Sequence, residues 1–221
     1  MKRGAVPISI TNKLPIMKSI PLIAFFLFSV SLCPAENLLP AGDFESASPG
    51  TVLLKAAIDV QAIGGWRCFT SDAEERSVLF ALVNDGGSNA LKMEMVSNPR
   101  QETDGRIGFD IEPAMLPVSP GDTLALRFQA RRTGEEECAI MVLLAGHRDD
   151  GTFVAQKVAF VEPGIRFENF DSMEWTVPAE ATRLNVIFNL LRSGAAGNAD
   201  DDQPVNPCGV IVDNIVLEKT N

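Results

Sequence analysis

Gly209-Val-Ile-Val-Asp-Asn-Ile-Val-Leu217, the last apolar stretch of the chain, decides how the rest is read. Val210, Ile211, Val212, Ile215 and Val216 are β-branched and fit a pleated backbone, and Glu218-Lys219 ends the run, so the stretch reads as a buried strand. Asp213 stands in its middle, and an isolated carboxylate is costly to bury unless it is paired or holds a metal. A matching piece lies far upstream, in Asn37-Leu-Leu-Pro-Ala-Gly-Asp-Phe-Glu45, where Asp43 and Glu45 follow a glycine in what reads as a first turn and first strand. The expectation is that these two segments lie side by side around a cation. A salt bridge, or a backbone-capping role for Asp213, is the alternative.

Upstream of the terminal stretch the chain repeats one pattern. Leu91, Met93 and Met95 alternate with Lys92 and Glu94, and Ile107, Phe109 and Ile111 with Gly108, Asp110 and Glu112. Leu124, Leu126, Phe128 and Ala130 alternate with Ala125, Arg127, Gln129 and Arg131, and Leu184, Val186, Phe188 and Leu190 with Asn185 and Asn189. Period two with one apolar side is the mark of half-buried strands. Further strands are expected at 51–54, 77–83, 138–144, 153–160 and 173–177. Gly64-Gly65-Trp66 reads as a turn that delivers an aromatic ring, and Asn84-Asp-Gly-Gly87 and Asp149-Asp-Gly151 as turns between strands. No window sustains a helical period. Nine or ten short strands divided by Gly, Pro, Asn and Asp make an all-β sandwich or barrel in one domain, residues 36–221.

The start of the chain is of another kind. Lys2, Arg3, Lys13 and Lys18 precede the apolar run Ile20–Leu32, which is too short for a membrane span and suits a signal-peptide core with cleavage after Ala35. The expected signal peptide is therefore 1–35, with Met17 as an alternative start. A lipoprotein anchor at Cys33 is disfavoured by Leu32, which stands where a small residue is usual. The expected address is secreted or periplasmic. Removal of four basic residues takes the formal charge from −10 to −14, which argues against nucleic acid and anionic membranes and makes divalent cations natural company. Cys68, Cys138 and Cys208 remain, an odd number, as either buried thiols or one bridge plus one thiol. With no CxxC spacing and one histidine, His147, zinc is not expected.

These segments carry a resemblance. Asn37–Glu45, Gly64-Gly-Trp66, Ala90-Leu-Lys-Met93, Val118-Ser-Pro-Gly-Asp-Thr-Leu-Ala-Leu-Arg-Phe-Gln-Ala-Arg131, Val177–Phe188 and Gly209–Leu217 resemble, in order, carbohydrate-binding modules of families four, nine and twenty-two. The resemblance implies a galactose-binding-like β-jelly roll of two antiparallel sheets, with a concave face that takes a poly- or oligosaccharide. It also implies a structural calcium near the joined termini, held by the Asp43 carbonyl and the side chains of Glu45 and Asp213, part of the six to eight oxygens calcium takes.

Arg127, Gln129 and Arg131 on one strand, and Asn185 and Asn189 on another, are the outward residues able to chelate sugar hydroxyls on that face. Trp66 is the expected stacking platform, since the chain has no tyrosine and its other tryptophan, Trp175, precedes a strand end. Catalysis is not expected. Acid pairs arise by chance among 29 carboxylates, no nucleophile or metal-hydrolase motif is present, and His147 sits beside a turn. The sequence thus points to an exported carbohydrate-binding module. The alternative is a structural or protein-interaction module of the cell envelope on the same fold, without glycan binding.

Overall fold

The computed structural model describes residues 37–39, 42–48, 50–54, 59–63, 65–70, 77–97, 107–112, 114–192 and 208–221. The expected signal peptide with Met17 and Cys33 lies outside the described residues, as do 193–207 of the polar loop before the last strand. Thirteen strands run through the described residues: β1 Gly50–Leu54, β2 Asp59–Ile63, β3 Trp66–Thr70, β4 Ser77–Asp85, β5 Ser88–Ser97, β6 Ile107–Asp110 and β7 Leu116–Pro117, then β8 Thr123–Arg132, β9 Cys138–His147, β10 Phe153–Val161, β11 Glu168–Thr176, β12 Arg183–Arg192 and β13 Cys208–Lys219.

They form two antiparallel sheets, one ordered β1-β4-β5-β13-β8-β11 and the other β10-β9-β12-β6-β3-β2, with β7 beside β12. The fold is the expected all-β sandwich of jelly-roll type. Alternation assigns the core directly. Val78, Phe80, Leu91, Met93, Leu126 and Phe128 of the first sheet face Phe109, Ile140, Val142, Val186 and Phe188 of the second, all at 2% exposure or less.

Three strands, β2, β3 and β11, differ from the sequence expectation. β2 and β3 form a hairpin around Gly65 (φ 86°), a left-handed turn position that glycine occupies without strain, so the segment expected only as a turn is paired sheet. β11 begins at Glu168, well before the expected Met173, because a register shift between Asp171 and Met173 breaks its alternation.

The terminal strand is paired on both sides and irregular. β13 pairs with β5 through Cys208–Val212 and with β8 along its length, and its register slips between Asp213 and Val216. Asn214 sits there at φ 50°, a left-handed conformation that asparagine tolerates. The slip resets the alternation. Val212 faces the core before it and Ile215 and Leu217 after it, while Asp213 falls on the outer face of the sheet, so the carboxylate does not enter the core.

β5 leaves β13 after Val212, and the segment near Asn37 takes its place. Leu38 N–H donates to the Leu217 carbonyl at 2.8 Å and Ile215 N–H to the Gly42 carbonyl at 2.8 Å. The Asn37 side chain mimics a strand between them: Nδ2 donates to the Ile215 carbonyl at 3.0 Å, and Oδ1 accepts from Leu217 N–H at 3.0 Å and from Leu39 N–H at 3.0 Å. Gly42 is required by contact, since a Cβ there would lie 1.9 Å from the Ile215 carbonyl oxygen.

Asn37→Leu keeps the volume and removes three hydrogen bonds to backbone groups. It should lower the free energy of unfolding by about 2–3 kcal/mol, read as a shift of the urea midpoint with unchanged slope.

Candidate functional site

Two places collect polar side chains. The first is the outer surface of β13 at its slip. Ser88 Oγ lies 2.8 Å from Glu45 Oε1 and 3.0 Å from Asp213 Oδ2, so the two carboxylates share one hydroxyl. Asn89 N–H also donates to Glu45 Oε1 at 2.7 Å, and Asn214 N–H to Asp213 Oδ1 at 2.6 Å. Asp43 turns its carboxylate to its own loop, accepting from Glu45 N–H at 3.3 Å. Asp213 is 4% exposed, and burial raises its pKa above the ordinary carboxylate range, with the charges of Glu45 and Asp43 adding to the rise.

The three residues named from the sequence therefore do come together. Among the described residues no Lys or Arg pairs with Glu45 or Asp213, and no three His, Cys, Asp or Glu side chains are spaced to enclose a metal by themselves. The donor set fits an oxygen-seeking cation that takes two side chains and a backbone carbonyl, with further oxygens from elsewhere. It does not fit a metal that needs several side chains.

The second place is a cleft of about 480 Å³ on the outer face of the sheet that holds β12. Its size falls among small-molecule clefts, about 300–1,000 Å³. Alternation places its floor: Asn185 and Asn189 on β12, Ala145 and Leu143 on β9, and Asp110 on β6 all point away from the core. Arg67 on β3 reaches in beside them. Its Nε donates to Asp110 Oδ1 at 2.7 Å, and its Nη2 bonds both Asp110 and Glu112. The guanidinium pKa is raised, first by the hydrogen bond to Asp110.

Asp110 is 2% exposed and further tied by Glu112 N–H at 3.1 Å and Asn185 Nδ2 at 3.5 Å, while Asn185 Oδ1 accepts from Ile111 N–H at 3.3 Å. The cleft therefore has one rigid charged wall, a single guanidinium against two carboxylates.

One buried polar atom of the cleft floor, Asn189 Oδ1, has no hydrogen-bond partner among the described residues. Gly108 makes the close seat of Asn189, since a Cβ there would be 2.8 Å from Asn189 Oδ1 and 2.2 Å from the Phe188 carbonyl oxygen. Rings stand on opposite sides, Phe69 on β3 and Phe153 on β10, the latter 54% exposed. His147 packs edge-on against Phe153 at 5.8 Å. Its Nδ1 lies 3.1 Å from the Gly151 carbonyl, which only accepts, so Nδ1 carries the hydrogen and a neutral ring leaves Nε2 as acceptor.

The structure corrects the sequence expectation at four residues. Trp66 is no platform: the first residue of β3 faces inward, is 1% exposed, and meets Phe109 at 5.1 Å and Phe188 at 6.1 Å edge to face. Arg127, Gln129 and Arg131 lie on the outer face of the opposite sheet and share no surface with Asn185 and Asn189. They are also engaged there. Arg127 pairs with Glu218 at 2.9 Å, Arg131 with Asp85 at 2.6 Å and with the Phe167 ring, and Gln129 bridges Asn169 and Asn214.

Alternation says which way a side chain points relative to its own strand but not which sheet the strand joins, hence the merging of two opposite faces. Arg67, Phe69, Gln156 and Phe153 were missed. The signal for the first two was present in Trp66-Arg-Cys-Phe-Thr70, an alternation with Trp66 and Cys68 inward.

No protein-family profile matches the chain, and no curated protein matches it. Solved structures do. An arabinose-bound GH51 α-L-arabinofuranosidase is similar at 15% identity and a TM-score of 0.51 over 84% of this chain, which spans about a quarter (26%) of that enzyme. The family 11 carbohydrate-binding module of the cellulosomal cellulase Lic26A-Cel5E of Clostridium thermocellum is similar at 15% identity and a TM-score of 0.44, over 79% of this chain and 97% of the module. A family 4 carbohydrate-binding module is similar at 13% identity and a TM-score of 0.41, over 71% and 95%. The likeness is one of fold.

Arg67→Leu should leave Asp110 buried without its cation and lower unfolding free energy by about 2–4 kcal/mol; adding Asp110→Leu should recover part of the loss. A double-mutant cycle by urea denaturation checks this, and additive effects would contradict the pairing.

Proposed function

We propose that this is an exported, non-catalytic carbohydrate-binding module that takes a neutral glycan in the cleft over β12, with a structural calcium ion beside the slip in β13. One observation carries the reading: a cleft whose floor holds a buried amide oxygen, that of Asn189, without a partner among the described residues, between rings on either side. Sugars present hydroxyls, which donate and accept, around a ring whose C–H faces are apolar. Asn185, Asn189, Gln156 and His147 supply amide and imidazole partners, and the rings of Phe153, which is exposed, and Phe69, which carries the Arg67 guanidinium, supply apolar contact.

The charge on the wall selects among sugars. Arg67 is already bonded to two carboxylates, so no cation is left over in that triad for a uronic acid, and the excess carboxylate repels one. The same bonding argues against glycosidase chemistry. Asp110 and Glu112 are tied to one guanidinium, whereas a hydrolase sets its two carboxyl groups on opposite sides of the scissile bond. Export rests on the basic and apolar start of the chain.

Calcium rests on the donor set at β13 and on the resemblance to the binding-module families. The Asp43 carbonyl and the carboxylates of Glu45 and Asp213 would hold it, and the ion would supply the counter-charge that Asp213 lacks. Its part is structural, tying the Asn37–Glu45 segment to the last strand.

Affinity electrophoresis through gels containing xylan, mixed-linkage β-glucan, mannan or polygalacturonate tests the binding reading. Retardation is expected by at least one neutral polymer and not by polygalacturonate. Asn189→Ala should weaken the interaction by about tenfold or more, and Arg127→Ala should leave it unchanged. Free migration of the folded protein in every gel would overturn the reading in favour of a structural or protein-interaction module.

Calcium should raise the melting temperature of chelator-treated protein by several degrees, and Asp213→Asn should abolish that rise. An equal response in the variant would refute the site.

A further inference from the structure

The crossover from β8 to β9 takes the chain from one sheet to the other in only residues 133–137. At its start, Arg132 pairs in register with Val210, and Thr133 N–H donates to the Gly209 carbonyl at 2.9 Å. Cys208 therefore sits where the crossover leaves the first sheet, and Cys138 where it enters the second.

Both side chains face inward. Cys208 shares the parity of Val210 and Val212, and Cys138 that of Ile140 and Val142, and each cysteine is 2% exposed. β9 and β13 come within 8 Å Cα to Cα, against a usual separation of about 10 Å between packed sheets. Both cysteines stand as thiols in this structure, with Cys138 Sγ 3.7 Å from the Glu136 carbonyl, and Cys208 is the first cause that pushes the Cys138 thiol pKa up. Cys68 lies elsewhere, within β3, with Phe109 and Gln61 as its cross-strand neighbours.

We infer that Cys138 and Cys208 form a disulfide that staples the two sheets at the crossover, with Cys68 left as a buried thiol. The step is a two-electron oxidation by a small-molecule or protein disulfide such as glutathione disulfide. One thiolate attacks that disulfide and expels a glutathione thiolate. The second then attacks the mixed disulfide and expels another, so the protein loses two thiol protons and two glutathiones are formed.

The bond belongs to the folding chain rather than to the finished fold. In the closed fold, the neighbouring Cys208 and burial both oppose ionisation of Cys138, and the thiolate is the reactive form. A cross-link between positions this far apart removes much of the freedom of the unfolded chain.

The full chain, reduced and denatured, should be refolded in a reduced and oxidised glutathione buffer, then alkylated and mapped by mass spectrometry. Of its four cysteines, two thiols should titrate after denaturation, and one linked peptide should join Cys138 to Cys208. In a Cys33→Ser/Cys68→Ser chain no thiol should remain. Reduction should lower the melting temperature of the oxidised protein by about 5–10 °C, and should change nothing in a Cys138→Ala/Cys208→Ala chain. Four titrating thiols in the refolded protein, or a bond that includes Cys33 or Cys68, would overturn the assignment.

Discussion

The hydrogen bonds between the Asn37 side chain and the second half of β13 hold the arrangement of this sandwich together. β13 lies inside its sheet, yet β5 covers only its first five residues. The slip at Asn214 turns Ile215 and Leu217 back toward the core and leaves their backbone groups facing a gap. An unpaired backbone group inside a sheet costs as much as a lost hydrogen bond, so something must fill the gap. Asn37 fills it with an amide that donates and accepts as a peptide unit does. Gly42, with no Cβ to collide with the Ile215 carbonyl, lets the following turn lie flat against the strand.

Several features follow from that closure. The segment that covers β13 brings Glu45 to Asp213 across Ser88, so the carboxylate cluster is a product of the closure and not of either segment alone. Gln129 accepts from the Asn214 side chain and so supports the slip from the neighbouring strand. That is a structural task for a residue whose type also suits sugar binding. The same holds for Arg127 and Arg131, whose guanidinium groups are spent on Glu218 and Asp85.

The two outer faces therefore differ in kind. On the six-stranded sheet, charged side chains pair with one another along and across strands, the usual condition of a solvated face. On the other sheet the polar groups are concentrated in a cleft, wired around buried Asp110, with an atom to spare at Asn189. The aromatic residues divide in the same way. Trp66, Phe109 and Phe188 form the packed centre, the last two stacked at 4.9 Å, so the largest rings serve stability. Phe69 and Phe153 are the rings at the cleft, the first with the Arg67 guanidinium over it and the second exposed.

Period-two alternation, turn residues and the lack of any helical period were enough to establish an all-β sandwich and its inward residues. These are local or whole-chain properties, and each strand's alternation carries its own evidence. The sequence likewise singled out Asp43, Glu45 and Asp213, because a carboxylate among β-branched residues is conspicuous. Only the tertiary structure decided which sheet each strand joins. It thereby decided that Asn185 and Asn189 share a face with Arg67 and Phe69 rather than with Arg127, Gln129 and Arg131. The physical reason is that alternation has two values per strand and is blind to the order of strands in space, which long-range backbone pairing sets. For the same reason the placement of Cys138 and Cys208 at one crossover between the sheets was invisible until the sheets were assembled.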